Sequence, residues 1–201
     1  MQLISRAVMR VTDYLRKVDP GQALVMEEGL ANISDPYRER DFWSRPREVK
    51  TAALEVAVAV LDRFDEHRDD YVRLSDINDW TLARQYMALI VQNLVNQTSP
   101  RTLPTRDSSM AENVRWILDQ EGPGSKMVLW AHNGHIANVF LSVGSLGWNL
   151  RKMLGDEFVT FGFAFDHGSF QAMDMPPSTA GLRDFTADPA PEETFDGTLT
   201  T

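Results

Sequence analysis

The run Met127-Val128-Leu129-Trp130-Ala131 is five consecutive apolar residues set off by Gly122-Pro123-Gly124 before it and His132-Asn133-Gly134-His135 after it. It is too short for a core helix and has no polar alternation. A strand of that kind needs cover on both faces, which is the environment of a parallel strand layered between helices. The rest of the chain therefore has to supply helices that pack over it.

Those helices are legible from periodicity. Leu3, Ala7, Val8, Val11, Leu15 and Val18 recur at helical spacing, and Asp19-Pro20-Gly21 is expected to stop them. A second stretch opens near Pro46, suited to a first helical turn, and runs through Val49, Ala53, Val56, Val60 and Phe64. A third follows Asn78 and Asp79 as possible caps and carries Trp80, Ala83, Met87, Ile90, Val91 and Leu94. After Pro100 and Pro104, Thr105 or Asp107 is placed to cap a helix whose apolar face is Met110, Val114, Ile117 and Leu118. Another helix is expected from Ser145, with Leu146, Leu150, Met153 and Leu154 inward and Gly155 at its close. The segment from Phe158 to Phe165 is rich in β-branched and aromatic residues and reads as a second strand.

The order helix, strand, helix, strand makes residues 105–165 a parallel α/β unit. Two strands alone do not make a stable sheet, so either the helical region packs over them or further strands complete it. The expected fold class is α/β, with a mostly helical N-terminal half packed on a small parallel α/β portion. Three regions follow: helices over 1–104, the α/β portion over 105–172, and a poorly ordered tail over 173–201. That tail is rich in Pro, Thr, Asp and Glu and shows no apolar periodicity.

Several function classes are excluded by composition. A formal charge of -9 argues against a nucleic-acid partner, since phosphate binding needs a concentrated basic surface. The densest basic group, Arg38, Arg40, Arg45 and Arg47, reads as a solvated loop and helix start. There is no cysteine, hence no disulfide and no thiolate chemistry. No apolar run approaches the ~20 residues that span a bilayer, and Met1 to Arg10 has no continuous apolar core of a signal peptide. No membrane partner is expected, and the cytoplasm is the expected location.

The chemistry concentrates in one tetrapeptide. His132 and His135, two of the four histidines, follow the carboxyl end of the buried strand, where ligands bind in open α/β sheets. Asn133 is suited to orient an imidazole or polarise a carbonyl, and Gly134 to an unusual backbone conformation or a close approach. On spacing alone, a structural pair remains open, with one ring bonded to a carbonyl and the other partly exposed. A metal site needs about three or four ligands and the pair supplies two; Glu112, Asp107 or His167 would have to complete it through a tertiary contact. No Gly-x-Ser-x-Gly elbow offers a serine nucleophile. Trp116, Trp130 and Trp148 fall on apolar faces or strands and are expected in the core.

Three segments in order carry a resemblance. Arg106-Asp107-Ser108-Ser109-Met110-Ala111-Glu112-Asn113 is followed by Trp130-Ala131-His132-Asn133-Gly134-His135. Then come Ser145-Leu146-Gly147, Phe161-Gly162-Phe163-Ala164-Phe165 and Gly168-Ser169-Phe170. Together they resemble the C-terminal part of the erythromycin esterase family, most strongly over residues 105–172. The family's Gly-Glu-x-x-His-Gly motif, which carries its first-ranked base, has no counterpart here; Glu27-Glu28-Gly29 comes close only in composition. Family members are also longer, so the resemblance implies a chain holding one part of the family fold.

The resemblance implies hydrolysis of an ester, best known as opening of the macrolide lactone of erythromycin. A histidine would activate water directly, with no acyl-enzyme; separately, no metal or other cofactor is expected. His132 and His135 carry over as the catalytic groups. Asn133, Arg106, Asp107 and Asn113 carry over as substrate-binding or supporting residues, although an ion pair for Arg106 or a helix-packing role for Asn113 fits equally well. The expected partner is a small-molecule ester or macrolide. The alternative is an inactive fragment or small-molecule binding module.

Overall fold

The computed structural model describes residues 4–34, 42, 44–98, 106–137, 144–163, 167–173, 181–194 and 198. The described residues of the first half include helices α1 (Ser5–Val18), α2 (Pro20–Gly29), α3 (Ala31–Ser34), α4 (Arg47–Glu66), α5 (Arg68–Leu74) and α6 (Ile77–Thr98). They are followed by α7 (Arg106–Glu121), α8 (Asn133–Ile136), α9 (Leu146–Leu154), and strands β1 (Gly168–Met173) and β2 (Leu182–Ala187). Thr105, Pro104, and the end of the segment expected as a strand at 158–165 lie outside the described residues.

One large core holds the first six helices together. Val11 and Leu15 of α1, Ala57, Val60 and Phe64 of α4, and Met87, Ile90 and Leu94 of α6 are fully buried in it. Their spacings of three and four place each set on one helical face, so burial follows directly from the periodicity. Each large side chain sealed there contributes roughly 1.5–3 kcal/mol. The chain does stop helix α1 at Val18, but Pro20 also starts the next helix. Asp19 is the reason: its carboxylate accepts the Gln22 N–H at 3.1 Å, capping α2 with proline in the first turn. The cap of α6 is Asp76, whose carboxylate accepts N–H groups from Asn78 and Asp79 at 2.8 and 2.9 Å.

Asp19 also ties four helices. Its other oxygen accepts Arg63 Nε of α4 and the Tyr71 hydroxyl of α5, both at 2.8 Å. Burial pushes the Asp19 carboxyl upward, but the hydrogen bonds from Tyr71, Arg63 and Gln22 outweigh it and hold the group below the usual carboxylate range. The Tyr71 hydroxyl is pushed up, first by burial and then by the same carboxylate.

A second, smaller core sits under the C-terminal portion. Ala111 and Val114 of α7 pack on Leu146 and Leu150 of α9, joined by Met110, Leu118, Met127, Leu154 and Phe158. Polar bonds join the two cores: Asn113 of α7 accepts from Gln85 and donates to Gln92 of α6 at 2.9 and 3.0 Å. Ser145 caps α9 by accepting the Trp148 N–H at 3.1 Å, and Gly155 closes it with a φ of 56°.

The helical, α/β character is as expected, whereas the parallel pairing is not seen. Among the described residues the sheet is two-stranded and antiparallel, β1 against β2. Residues 127–131 and 158–163 carry no regular secondary structure and join no ladder. A run of apolar residues specifies an extended, coverable segment; a ladder also needs a neighbouring backbone, and none of the described residues provides it. The same lack of cover leaves Trp130 85% exposed, against the core position expected for it, while Trp116 and Trp148 are half-buried. In the stretch read as a tail, Leu182–Ala187 pairs with β1. Phe170 stacks on Phe185 at 5.8 Å, Ser169 meets Thr186, and Gln171 donates to Asp184.

Among the described residues, no helix is long and apolar enough to cross a membrane.

Candidate functional site

Residues 127–131 lead through His132 into α8, a single turn of four residues. His132 is the cap of that turn: its Nδ1 accepts the Gly134 N–H at 3.0 Å. Gly134 has helical backbone, so its value lies in close approach. A Cβ there would stand 3.3 Å from His132 Nδ1, and what comes near is the histidine ring itself.

His135, one turn on, meets Asp107 in the first turn of α7. Its Nδ1 lies 2.9 and 3.0 Å from the two carboxylate oxygens. Asp107 does not cap its own helix. It accepts the backbone N–H of Leu146, at the start of α9, at 2.9 Å. Three elements thus meet at one carboxylate that is largely buried. His135 itself keeps 36% of its side chain exposed, and His132 is exposed, so both rings remain open to a ligand.

Asn133 grips the far segment. Its Nδ2 donates to the Phe163 carbonyl at 2.5 Å, and its Oδ1 accepts the Phe163 N–H at 3.2 Å. A side-chain amide therefore satisfies the pair of backbone groups that a neighbouring strand would otherwise bond. Above it Trp130 and Phe163 lie 5.3 Å apart. Beside the turn opens a cavity of about 770 Å³, walled by Leu118, Met127, Trp130, Leu146, Phe158 and Phe161 among others. A second cavity of about 640 Å³ lies against α1, with no histidine in its lining, where Arg16 is already paired with Asp13 and Glu27.

Helix α9 comes very close to the turn. A Cβ on Gly147 would collide with the carbonyl oxygen of Ile136. Gly147→Ala is therefore expected to destabilise the chain by about 1–3 kcal/mol and to move the turn that carries both histidines. Urea unfolding reads the first effect, and shifts of the His132 and His135 ring signals read the second.

Residues 1–201 match the sequence pattern of the Erythromycin esterase family over the whole chain. The chain belongs to the erythromycin esterase family. Its fold is similar to that of the erythromycin esterase EreC, seen as a point mutant in its open conformation. The TM-score is 0.77 at 15% identity, over 98% of this chain and 54% of that one. A protein from Bacillus cereus matches with a TM-score of 0.76 at 18% identity, over 96% of this chain and 48% of its own. A succinoglycan biosynthesis protein matches at 0.72 and 20%, over 96% of this chain and 47% of its own. At such identities the likeness is one of fold. This erythromycin esterase family chain spans about half the length of these solved relatives. No curated protein sequence matches it.

Of the residues singled out in this family member, the structure brings His132, Asn133, His135 and Asp107 together. Asn113 bonds to α6 instead, and among the described residues Arg106 makes no bond to either histidine. Of the groups considered as further metal ligands, Glu112 is bonded to Gln92 at 3.0 Å. Among the described residues no three His, Asp or Glu side chains are grouped to hold a metal. Sequence reasoning did not find the Leu146 N–H, Gly147 or the Phe163 backbone as parts of the site. The Ser145-Leu146-Gly147 segment was the available signal, since a cap followed by glycine marks a helix start under close approach.

Proposed function

We propose that this chain carries the histidine wall of an ester-hydrolase site, taking a small-molecule carboxylic ester such as a macrolide lactone. The observation that carries the reading is the His135–Asp107 contact, an imidazole held by a largely buried carboxylate with its other nitrogen left for substrate or water. An ester is cleaved when water adds to the acyl carbon, which needs a base for the water's proton and a donor for the developing oxyanion. Two histidines on one turn supply groups of both kinds without a nucleophilic serine or cysteine. The apolar cavity lined by Ala131 and Ile136, the chain neighbours of His132 and His135, suits the hydrocarbon body of a lactone or similar ester. Opening a macrolide lactone this way would inactivate the antibiotic and give resistance.

Mass spectrometry of erythromycin incubated with the purified chain tests the reading. A product heavier by one water, formed equally with and without chelator, is the expected outcome. An unchanged macrolide and an unchanged panel of simpler lactones and esters would count against hydrolysis by this chain.

A second reading is favoured by one observation. Val128, Trp130, Phe161 and Phe163 are exposed at 94%, 85%, 76% and 65%, on segments outside any ladder. Together with the half-length match to the solved relatives, this supports a chain whose histidine wall binds small molecules but needs further strands to turn over. Such a chain would bind erythromycin, read by ligand-observed NMR, and release no product.

A further inference from the structure

We infer that the two histidines of the turn are held in opposite tautomers, His132 as a hydrogen-bond donor through Nε2 and His135 as a proton acceptor through Nε2, with Asp107 as the positioning residue that sets the second. This deepens the ester-hydrolase reading and rests on it for its chemical meaning; the tautomers themselves rest on hydrogen-bond geometry.

A backbone N–H has a proton to give and no lone pair to offer. The Gly134 N–H reaches His132 Nδ1 at 3.0 Å, so that nitrogen is the acceptor. A neutral imidazole with a lone pair on Nδ1 carries its proton on Nε2. His132 therefore presents an N–H to whatever lies in front of it. The situation of His135 is the reverse. Asp107 offers oxygen lone pairs at 2.9 and 3.0 Å, so His135 Nδ1 is the donor and the neutral ring keeps its lone pair on Nε2.

Each choice is locked locally. The His132 bond closes within three residues, on the cap of α8. Asp107 is held from a second side by the Leu146 N–H at 2.9 Å, so its carboxylate has an anchor independent of His135. Among the described residues no hydrogen bond occupies Nε2 of either ring. One turn of chain thus displays a fixed donor and a fixed acceptor, three residues apart.

That pair matches what direct hydrolysis requires. The O–H bond of water breaks as its proton passes to His135 Nε2, and the freed electron pair forms the bond to the acyl carbon. The carbonyl π pair moves onto oxygen, where the His132 Nε2–H bonds the oxyanion. On collapse the acyl C–O bond to the alcohol breaks. The departing alkoxide takes the proton back from His135 Nε2, which leaves acid, alcohol and the starting tautomers.

Long-range proton–nitrogen NMR of the nitrogen-labelled chain reads each ring nitrogen as N–H or lone pair. It is recorded at a pH where the spectra themselves show neutral rings, with single His→Gln variants for assignment. The expected spectrum has His132 with a lone-pair Nδ1 and a protonated Nε2, and His135 with the opposite pattern. In Asp107→Ala, the His135 signals are expected to shift to a tautomer mixture while the His132 signals stay in place. The same tautomer on both rings, or a protonated Nδ1 on His132, overturns the inference, and the wild-type spectrum alone decides this if the variant does not fold. The hydrolysis assay fails or succeeds separately: opposite tautomers without turnover sink the esterase reading and leave the ring assignment standing.

Discussion

Asp19→Ala is expected to lower the unfolding free energy by about 3 kcal/mol, combining a lost helix cap of ~1 kcal/mol with charge-assisted bonds whose partners are left behind. The carboxylate is 18% exposed and holds Gln22, Arg63 and Tyr71, so its removal frees the start of α2 and unpairs groups on α4 and α5 together. Arg63 is 40% exposed and regains water, which keeps the loss from growing further. Urea unfolding at neutral pH measures it. The effect also has a pH signature. Because the folded Asp19 carboxyl is held below its ordinary value, its stabilisation is present above the unfolded value of about 3.9 and is lost as pH falls through the folded one. The alanine variant is therefore expected to lose less stability than the parent between neutral pH and that acid range. A variant that unfolds in parallel with the parent across this window would remove Asp19 from its role as the tie.

His135→Ala is expected to reduce ester hydrolysis by about 10²–10⁴-fold, the usual contribution of a positioned acid–base group. The side chain keeps 36% of its surface exposed, so the thermal midpoint of the variant should stay near that of the parent. His132→Ala removes a donor and should cost about 10²–10³-fold, the scale of a lost oxyanion contact. Initial rates with one ester and the three proteins check both figures, with circular dichroism confirming the fold. Parent-like rates in His135→Ala would place the chemistry elsewhere.

Much of the fold was readable because helical faces are local facts. Ala53, Ala57, Val60 and Phe64 fall on one face by spacing alone, as do Ala83, Met87, Ile90 and Leu94, and both faces are buried. Pro20 shows where local rules divide. A proline ends one helix and suits the first turn of the next, and only the Asp19 side chain decides that both happen here. The strand expected over 127–131 is not formed among the described residues. Its pairing depends on backbone that periodicity cannot supply, and Trp130 is exposed for the same reason. Strand β2 escaped notice because Leu182-Arg183-Asp184-Phe185 is short and half polar. It is held by partners on β1 rather than by a buried face.

The candidate site divides in the same way. His132 and His135 were visible as a concentration of imidazoles behind an apolar strand. Asp107 was visible as a residue but not in its role, because its partner lies 28 residues away and the nearer reading was a cap or an ion pair with Arg106. Asn133 was expected to orient an imidazole or a carbonyl. Its amide bonds the Phe163 backbone instead, 30 residues on.

The most direct measurement is the rate of ester hydrolysis by the parent chain and by the double variant His132→Ala/His135→Ala, followed by mass spectrometry on erythromycin and a panel of lactones. Gain of one water with the parent, and none above background with the double variant, is the expected result. Equal turnover by the two proteins would contradict a histidine-built ester-hydrolase site on this turn.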